Sequence, residues 1–273
     1  MSARIEKALR WRKMGKEKML KAMECGLEGG FPVVIPYVGI FLRDHWEEAT
    51  DQPWWAFHDP NLDAWIKVEE DLLERLDMDW VSCGLCPPRE WRESHKIEVD
   101  GNRVFIVDSS GKAREEIRRD PVGGSHIAIE KEPSIVSVED VDSRIAPLDK
   151  KDLVRSGMLD YAKMVANRFG SEKFVCASIG TPYWEALCNH FGFKGMMASV
   201  CRGSGLVERA LERLTENALQ LIRAYAEAKV DGIWVEECLS SATEISLDQF
   251  KRFVLPYNEE LFSETRKLGM KSI

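Results

Sequence analysis

Val230-Asp-Gly-Ile-Trp-Val-Glu-Glu-Cys238 is the stretch on which the fold turns. It is a short apolar run of strand length that ends in two acids. Residues 206–228 precede it as a long amphipathic helix, with Leu206, Ala210, Leu214, Leu221 and Tyr225 near one stripe. Ser246-Leu-Asp-Gln249 follows it as a capping box, opening a helix that runs to Leu268 and that Pro256 should kink. Gly269-Met-Lys-Ser-Ile273 then opens one more strand. A helix, a strand, a helix and a strand in this order make the βα unit of a parallel sheet.

The same rhythm extends toward the N-terminus. Phe174-Val-Cys-Ala-Ser-Ile179 is strand-like, with a helix over about 150–168 before it and Thr181-Pro182 opening another after it. Met78-Asp-Trp-Val-Ser-Cys-Gly84 is a further short strand, preceded by an amphipathic helix over 61–76. Phe31-Pro-Val-Val-Ile-Pro-Tyr-Val-Gly39 is a continuous apolar run, the pattern of a parallel strand buried on both faces. Residues 4–25 read as a first helix stopped by Gly26, Gly29 and Gly30. Between 90 and 135 the rhythm changes: His95–Val99 and Arg103–Val107 flank Asp100-Gly101-Asn102, a hairpin signal, and His126–Ile129 offers a third strand. The reading is one α/β domain over 1–273, a TIM-type (β/α)8 barrel with a small antiparallel insertion. Four parallel strands and the start of a fifth fall short of the eight a closed barrel needs, so the barrel is expected to be incomplete at the C-terminus.

Net charge is −8, which gives no global attraction to nucleic acid or anionic membrane, although eight Lys and Arg against Glu6 and Glu17 make residues 1–21 locally basic. No apolar run has the length of a membrane span, and no signal-peptide pattern follows the basic start. The seven cysteines (25, 83, 86, 176, 188, 201 and 238) are odd in number in a long chain, which argues for reduced thiols and a cytoplasmic location.

Three segments together resemble the uroporphyrinogen decarboxylase superfamily: Pro32–Leu42 running on to His45, Phe174–Tyr183, and Val230–Cys238 with Ile245–Phe250 and Phe253-Val-Leu-Pro-Tyr257. The resemblance implies the barrel fold. It also allows the decarboxylase pattern to be compared position by position. Where the decarboxylase carries two arginines in an Arg-Gln-Ala-Gly-Arg run, this chain has Pro36-Tyr-Val-Gly-Ile40. Cys83 stands where its Asp would be, and Cys188 near the place of its Tyr. A substrate rich in carboxylates needs fixed cations, best supplied by bidentate arginine, so uroporphyrinogen decarboxylation is not expected.

The chain is therefore more similar to the branch of corrinoid-dependent methylcobamide:thiol methyltransferases. That resemblance implies zinc, a corrinoid carried by a partner protein, and a small-molecule thiol acceptor. The branch takes zinc through a His-x-Cys pair after the fifth strand and a later Cys, so the zinc site is expected beyond Ile273. The alternative is a non-catalytic barrel subunit or binding module completed by another chain or by oligomerisation, because an unfinished sheet exposes an edge.

Barrel chemistry gathers at the C-terminal ends of strands. Those ends offer Glu236 as catalytic or metal-shell carboxylate, and Tyr37, His45, Cys83, Ser178 and Tyr183 as substrate-binding residues. Adjacent acids on a strand point to opposite faces, which separates Glu236 from Glu237. Cys83-Gly-Leu-Cys86 reads first as two small apolar residues at a strand end, and with Cys238 it is only a partial soft-metal set, short of the four ligands zinc wants. Trp46, Trp54, Trp55 and Trp65 read as packing of a capping loop.

Overall fold

The computed structural model describes residues 14–26, 30–111, 114–123, 133–179, 184–203, 205–237 and 240–273. It divides into two compact units: Met1–Gly124 with Arg155–Cys176, and Ser125–Val154 with Ala177–Ile273.

In the first unit, helix Leu62–Leu76 starts where Asn61 accepts the backbone N–H of Asp63, and it ends where Asp77 turns left-handed at φ +50°. Its buried Val68 and Leu72 join Leu42, Trp46 and Ala49 of helix Val38–Ala49, together with Ala56 and Met78, in one apolar cluster. Strand β1 (Trp80–Cys83) follows and is almost wholly buried.

The strand expected over 31–39 is not there. Residues 31–35 have no regular structure, and a helix begins at Val38. Pro32 and Pro36 have no N–H for a ladder. The N–H of Val33 goes instead to the carboxylate Oδ2 of Asp79 at 2.8 Å, while the Val33 carbonyl accepts the Asp79 N–H at 2.8 Å. One such exchange does not make a strand. Nor is the run buried: Phe31 is 87% exposed and Tyr37 51%.

Asp79 joins four parts of this unit. Its carboxylate meets Lys18 of helix Gly15–Met23 at 2.5 Å, and its carbonyl accepts the N–H of Phe174 at 3.0 Å. Helix Gly15–Met23 comes so close that a Cβ on Gly15 would lie 2.9 Å from the Asp79 carbonyl oxygen. Gly15→Ala is therefore expected to lower stability by about 1–3 kcal/mol, the usual cost of overpacking against atoms that cannot move, as a fall in the urea midpoint.

The expected hairpin forms. β2 (His95–Asp100) and β3 (Arg103–Asp108) are antiparallel, pairing Ile97 with Ile106 and Asp100 with Arg103. Gly101 takes φ +59° at the first turn position, where a type II′ turn requires glycine. The third strand is β4 (Arg114–Ile117). The one expected at 126–129 lies outside the described residues. The helix expected over 150–168 is two, Lys150–Arg155 and Asp160–Phe169, parted by a turn in which Gly157 has φ +78°. β5 (Phe174–Ser178) follows.

In the second unit, helix Gly205–Glu227 buries Val207, Ala210, Leu211, Leu219, Ile222 and Tyr225. β6 spans only Gly232–Trp234 and pairs in parallel with β7 (Lys271–Ser272). Ser246 and Gln249 form the expected capping box. Instead of one kinked helix there are two, Leu247–Phe253 and Leu255–Lys267, broken at Val254 (φ −122°, ψ −58°). Pro256 sits in the first turn of the second, where a missing N–H leaves nothing unsatisfied. The larger sheet has the order β1-β5-β6-β7 and is parallel; β7 is the further strand expected at 269–273, and the 31–39 run adds none. Among the described residues no helix is long and apolar enough to cross a membrane.

Candidate functional site

Along helix Leu62–Leu76 the buried stripe passes through Leu62, Val68 and Leu72, and Glu69 lies on it. Its side chain is 5% exposed. Tyr161 of helix Asp160–Phe169, 4% exposed, donates its hydroxyl to Glu69 Oε1 at 2.9 Å. Burial disfavours the charged carboxylate and outweighs the help of that hydrogen bond, so the Glu69 carboxyl is pushed up to about 7. Burial, reinforced by the charge of Glu69, pushes the Tyr161 phenol up as well, so it stays a donor at neutral pH.

Glu69 and Tyr161 line a cavity of about 420 Å3 in the first unit. Its walls are aromatic: Trp46, Trp54, Phe57 and Trp65. The rings meet edge to face, Trp46 against Phe57 at 87°, Phe57 against Trp65 at 77°, and Trp65 against Tyr161 at 67°. Ser82 and Cys83 enter from the end of β1. The tryptophans thus do more than pack a loop.

Arg43, Arg118, Arg119 and Asp120 also line the cavity. Each arginine has a carboxylate partner. Arg43 donates to Asp44 at 2.7 and 2.9 Å, Arg119 makes a two-point contact with Glu47, and Arg118 lies 3.6 Å from Glu116. The Arg43 guanidinium, with the backbone N–H of Gly123, holds the Asp44 carboxyl down to about 2.

Of the substrate-binding residues expected from the sequence, Cys83 is brought into this cavity. Tyr37 is half exposed outside its lining. His45 lies at the surface, stacked on Phe41 at 5.0 Å and 3.3 Å from Glu48. Ser178 and Glu236 belong to the second unit, Ser178 at the end of β5 and Glu236 half-buried beyond the end of β6. Because β6 stops at Trp234, strand alternation does not separate Glu236 from Glu237. Tyr183 and Cys238 lie outside the described residues. Glu69 was missed, although the sequence carried one signal for it: an acid at i+3 from Ile66 and i−3 from Leu72, in the middle of the apolar stripe.

The Cys86 sulfur does not suit zinc. Cys86 donates its Sγ to the carbonyls of Gly157 and Met158 at 3.4 Å each, and burial pushes its thiol up. A zinc ligand needs the reverse, a sulfur that gives up its proton easily. Among the described residues no three His, Cys, Asp or Glu side chains come together as a metal-holding group.

The family profile described as uroporphyrinogen decarboxylase (URO-D) matches residues 123–273. The chain belongs to the uroporphyrinogen decarboxylase family. Among solved structures, a methyltransferase from Methanosarcina mazei superposes on this family member with a TM-score of 0.58 at 16% identity, covering 95% of this chain and 68% of that one. At that identity the likeness is one of fold. No curated protein matches the sequence. Of the cavity residues, only Tyr161 lies inside the matched stretch; Glu69, Cys83 and the tryptophans precede it. The role of the cavity in this family member must therefore be argued from its own chemistry.

Proposed function

We propose that the chain is a methyl-transferring member of the uroporphyrinogen decarboxylase family and that its substrate sits over Glu69. The observation that carries the proposal is the buried carboxyl, poised at about 7 and held by Tyr161 on the wall of an aromatic cavity. The fold shared with a methyltransferase supports it. A group poised near neutrality can give or take a proton at similar cost. When a methyl group moves onto a thiol, the thiol proton must leave, and ionised Glu69 can accept it. Tyr161 fixes one carboxylate oxygen for this task, and Trp46, Trp54 and Trp65 give the site apolar walls.

The resemblance also brings a corrinoid partner protein, a thiol acceptor and zinc, which when bound would ionise the thiol; the odd number of cysteines favours a cytoplasmic setting. Cys86 does not fit such a metal. Uroporphyrinogen decarboxylation is not part of it either, since Pro36 and Ile40 occupy the places of the gripping arginines. One feature favours the second reading, a barrel subunit completed by another chain: Phe31, Val33, Tyr37 and Ile40 are all exposed.

The test is methyl transfer from methylcobalamin to 2-mercaptoethanol by the full chain, followed through the cobalamin spectrum. Glu69→Gln is expected to lower kcat about a hundredfold and to abolish the inflection near neutral pH. Turnover that is unchanged in Glu69→Gln removes Glu69 from the chemistry.

A further inference from the structure

A buried carboxylate normally has a cation, and this unit shows the rule: Asp79 has Lys18 at 2.5 Å. Glu69 has only a neutral partner, the hydroxyl of Tyr161, and no cation among the described residues pairs with it. Its second oxygen has no hydrogen-bond partner among the described residues, and the residue lines the cavity. The walls of that cavity include aromatic rings set at steep angles to one another, 87° and 77° along Trp46, Phe57 and Trp65. Ring faces attract cations through their quadrupole, most strongly where water is excluded, and they suit a cation whose charge is spread over methyl groups rather than one that demands hydrogen bonds. Arg43 and Arg119 are matched by Asp44 and Glu47; Arg118 shares Glu116 with Arg103 and keeps its side chain 82% exposed, where solvent screens it, and Asp120 adds one more negative charge to the lining.

We propose that the cavity binds a methylated ammonium group, caged by Trp46, Trp54, Phe57 and Trp65, with Glu69 as its counter-ion. The inference rests on the reading of this cavity as the substrate site, and it names the substrate class: small methylated amines and quaternary ammonium compounds. A bound cation supplies the charge that Glu69 lacks, so binding drives its proton off. The other groups around Glu69 that could titrate are Tyr161 from helix Asp160–Phe169, Cys83 and Cys86 from the end of β1 and the segment after it, and His58 from the 3-10 turn Ala56–His58. Arg43, Arg118, Arg119 and Asp120 complete the charged lining.

The experiment compares choline with 3,3-dimethylbutan-1-ol, its uncharged isostere, by quenching of tryptophan fluorescence on the full chain. Calorimetry in two buffers of different ionisation enthalpy counts protons. Choline is expected to bind at least about tenfold more tightly than the isostere and to release about half a proton at pH 7, since a group poised at about 7 is half protonated there. Its affinity should rise with pH through that value and still do so in His58→Gln. Glu69→Gln should remove the preference for the cation. Trp54→Leu, whose fold is checked by circular dichroism, should weaken choline more than the isostere. Equal affinity for the two ligands, an undiminished preference in Glu69→Gln, or no saturable choline binding overturns the inference. The two proposals fail separately. If Glu69→Gln abolishes methyl transfer while charge makes no difference to binding, the site stands and the substrate class falls. If choline binds as described while Glu69→Gln turns over normally, the cage stands and the catalytic reading falls.

Discussion

Asp79→Asn is expected to lower the free energy of unfolding by about 3–5 kcal/mol, because it leaves Lys18 as an uncompensated charge in a buried place. The side chains of the pair are 8% and 1% exposed and their charged atoms are 2.5 Å apart. The loss extends beyond the pair, since the Asp79 carboxylate also accepts the N–H of Val33 at 2.8 Å. The control is the double variant Lys18→Met with Asp79→Leu. It removes both charges and keeps apolar volume, so it should recover part of the loss. Urea unfolding of the three proteins decides the matter. A loss below about 1 kcal/mol in Asp79→Asn would show that water reaches the pair.

Glu69→Gln is expected to stabilise the protein in alkaline solution, the opposite of what it should do to activity. Burial raises the Glu69 carboxyl from 4.5 to about 7 in the folded chain. The folded state therefore keeps a proton that the unfolded state releases between those values. The stability contributed by this group is whole below about pH 4.5 and is lost as pH rises through about 7. Glutamine never ionises and still offers an oxygen to the Tyr161 hydroxyl. Its advantage over wild type should thus grow by roughly 2–3 kcal/mol between pH 5 and pH 8. Chemical denaturation at the two pH values measures it. An advantage that does not change with pH would mean that Glu69 titrates as an exposed acid does, and the cavity chemistry would lose its basis.

The two results belong to one picture. A buried acid with a cation holds the fold together, whereas a buried acid without one lowers stability and is retained where it serves a ligand. Among the described residues this unit has one of each, Asp79 and Glu69.

Local chemistry was legible in the sequence. The helices of 61–76 and 206–228, the Ser246 capping box, the glycine turn at Gly101 and the buried strands beginning at Trp80 and Phe174 depend on neighbours within a few residues and form as read, although of the stripe read over 206–228 only Ala210 and Tyr225 are buried, with Leu206, Leu214 and Leu221 on its margin. The break at Val254 was half legible, because Pro256 announces a discontinuity without saying whether the helix bends or restarts. The 31–39 run misled because its apolar residues mimic a buried strand, while the atom that takes the N–H of Val33 belongs to Asp79, 46 residues away. The candidate site shows the same limit. Cys83 was found from its place at a strand end, but Glu69 depends on Tyr161, 92 residues on, and on rings from three separate segments. Taken alone, the sequence determined the α/β class, the parallel sheet and the family, since these follow from short-range periodicity and motif. Only the tertiary structure decided that one of the acids on helix Leu62–Leu76 is shut away from water without a cation, because burial and missing counter-charge arise when distant segments close over a side chain.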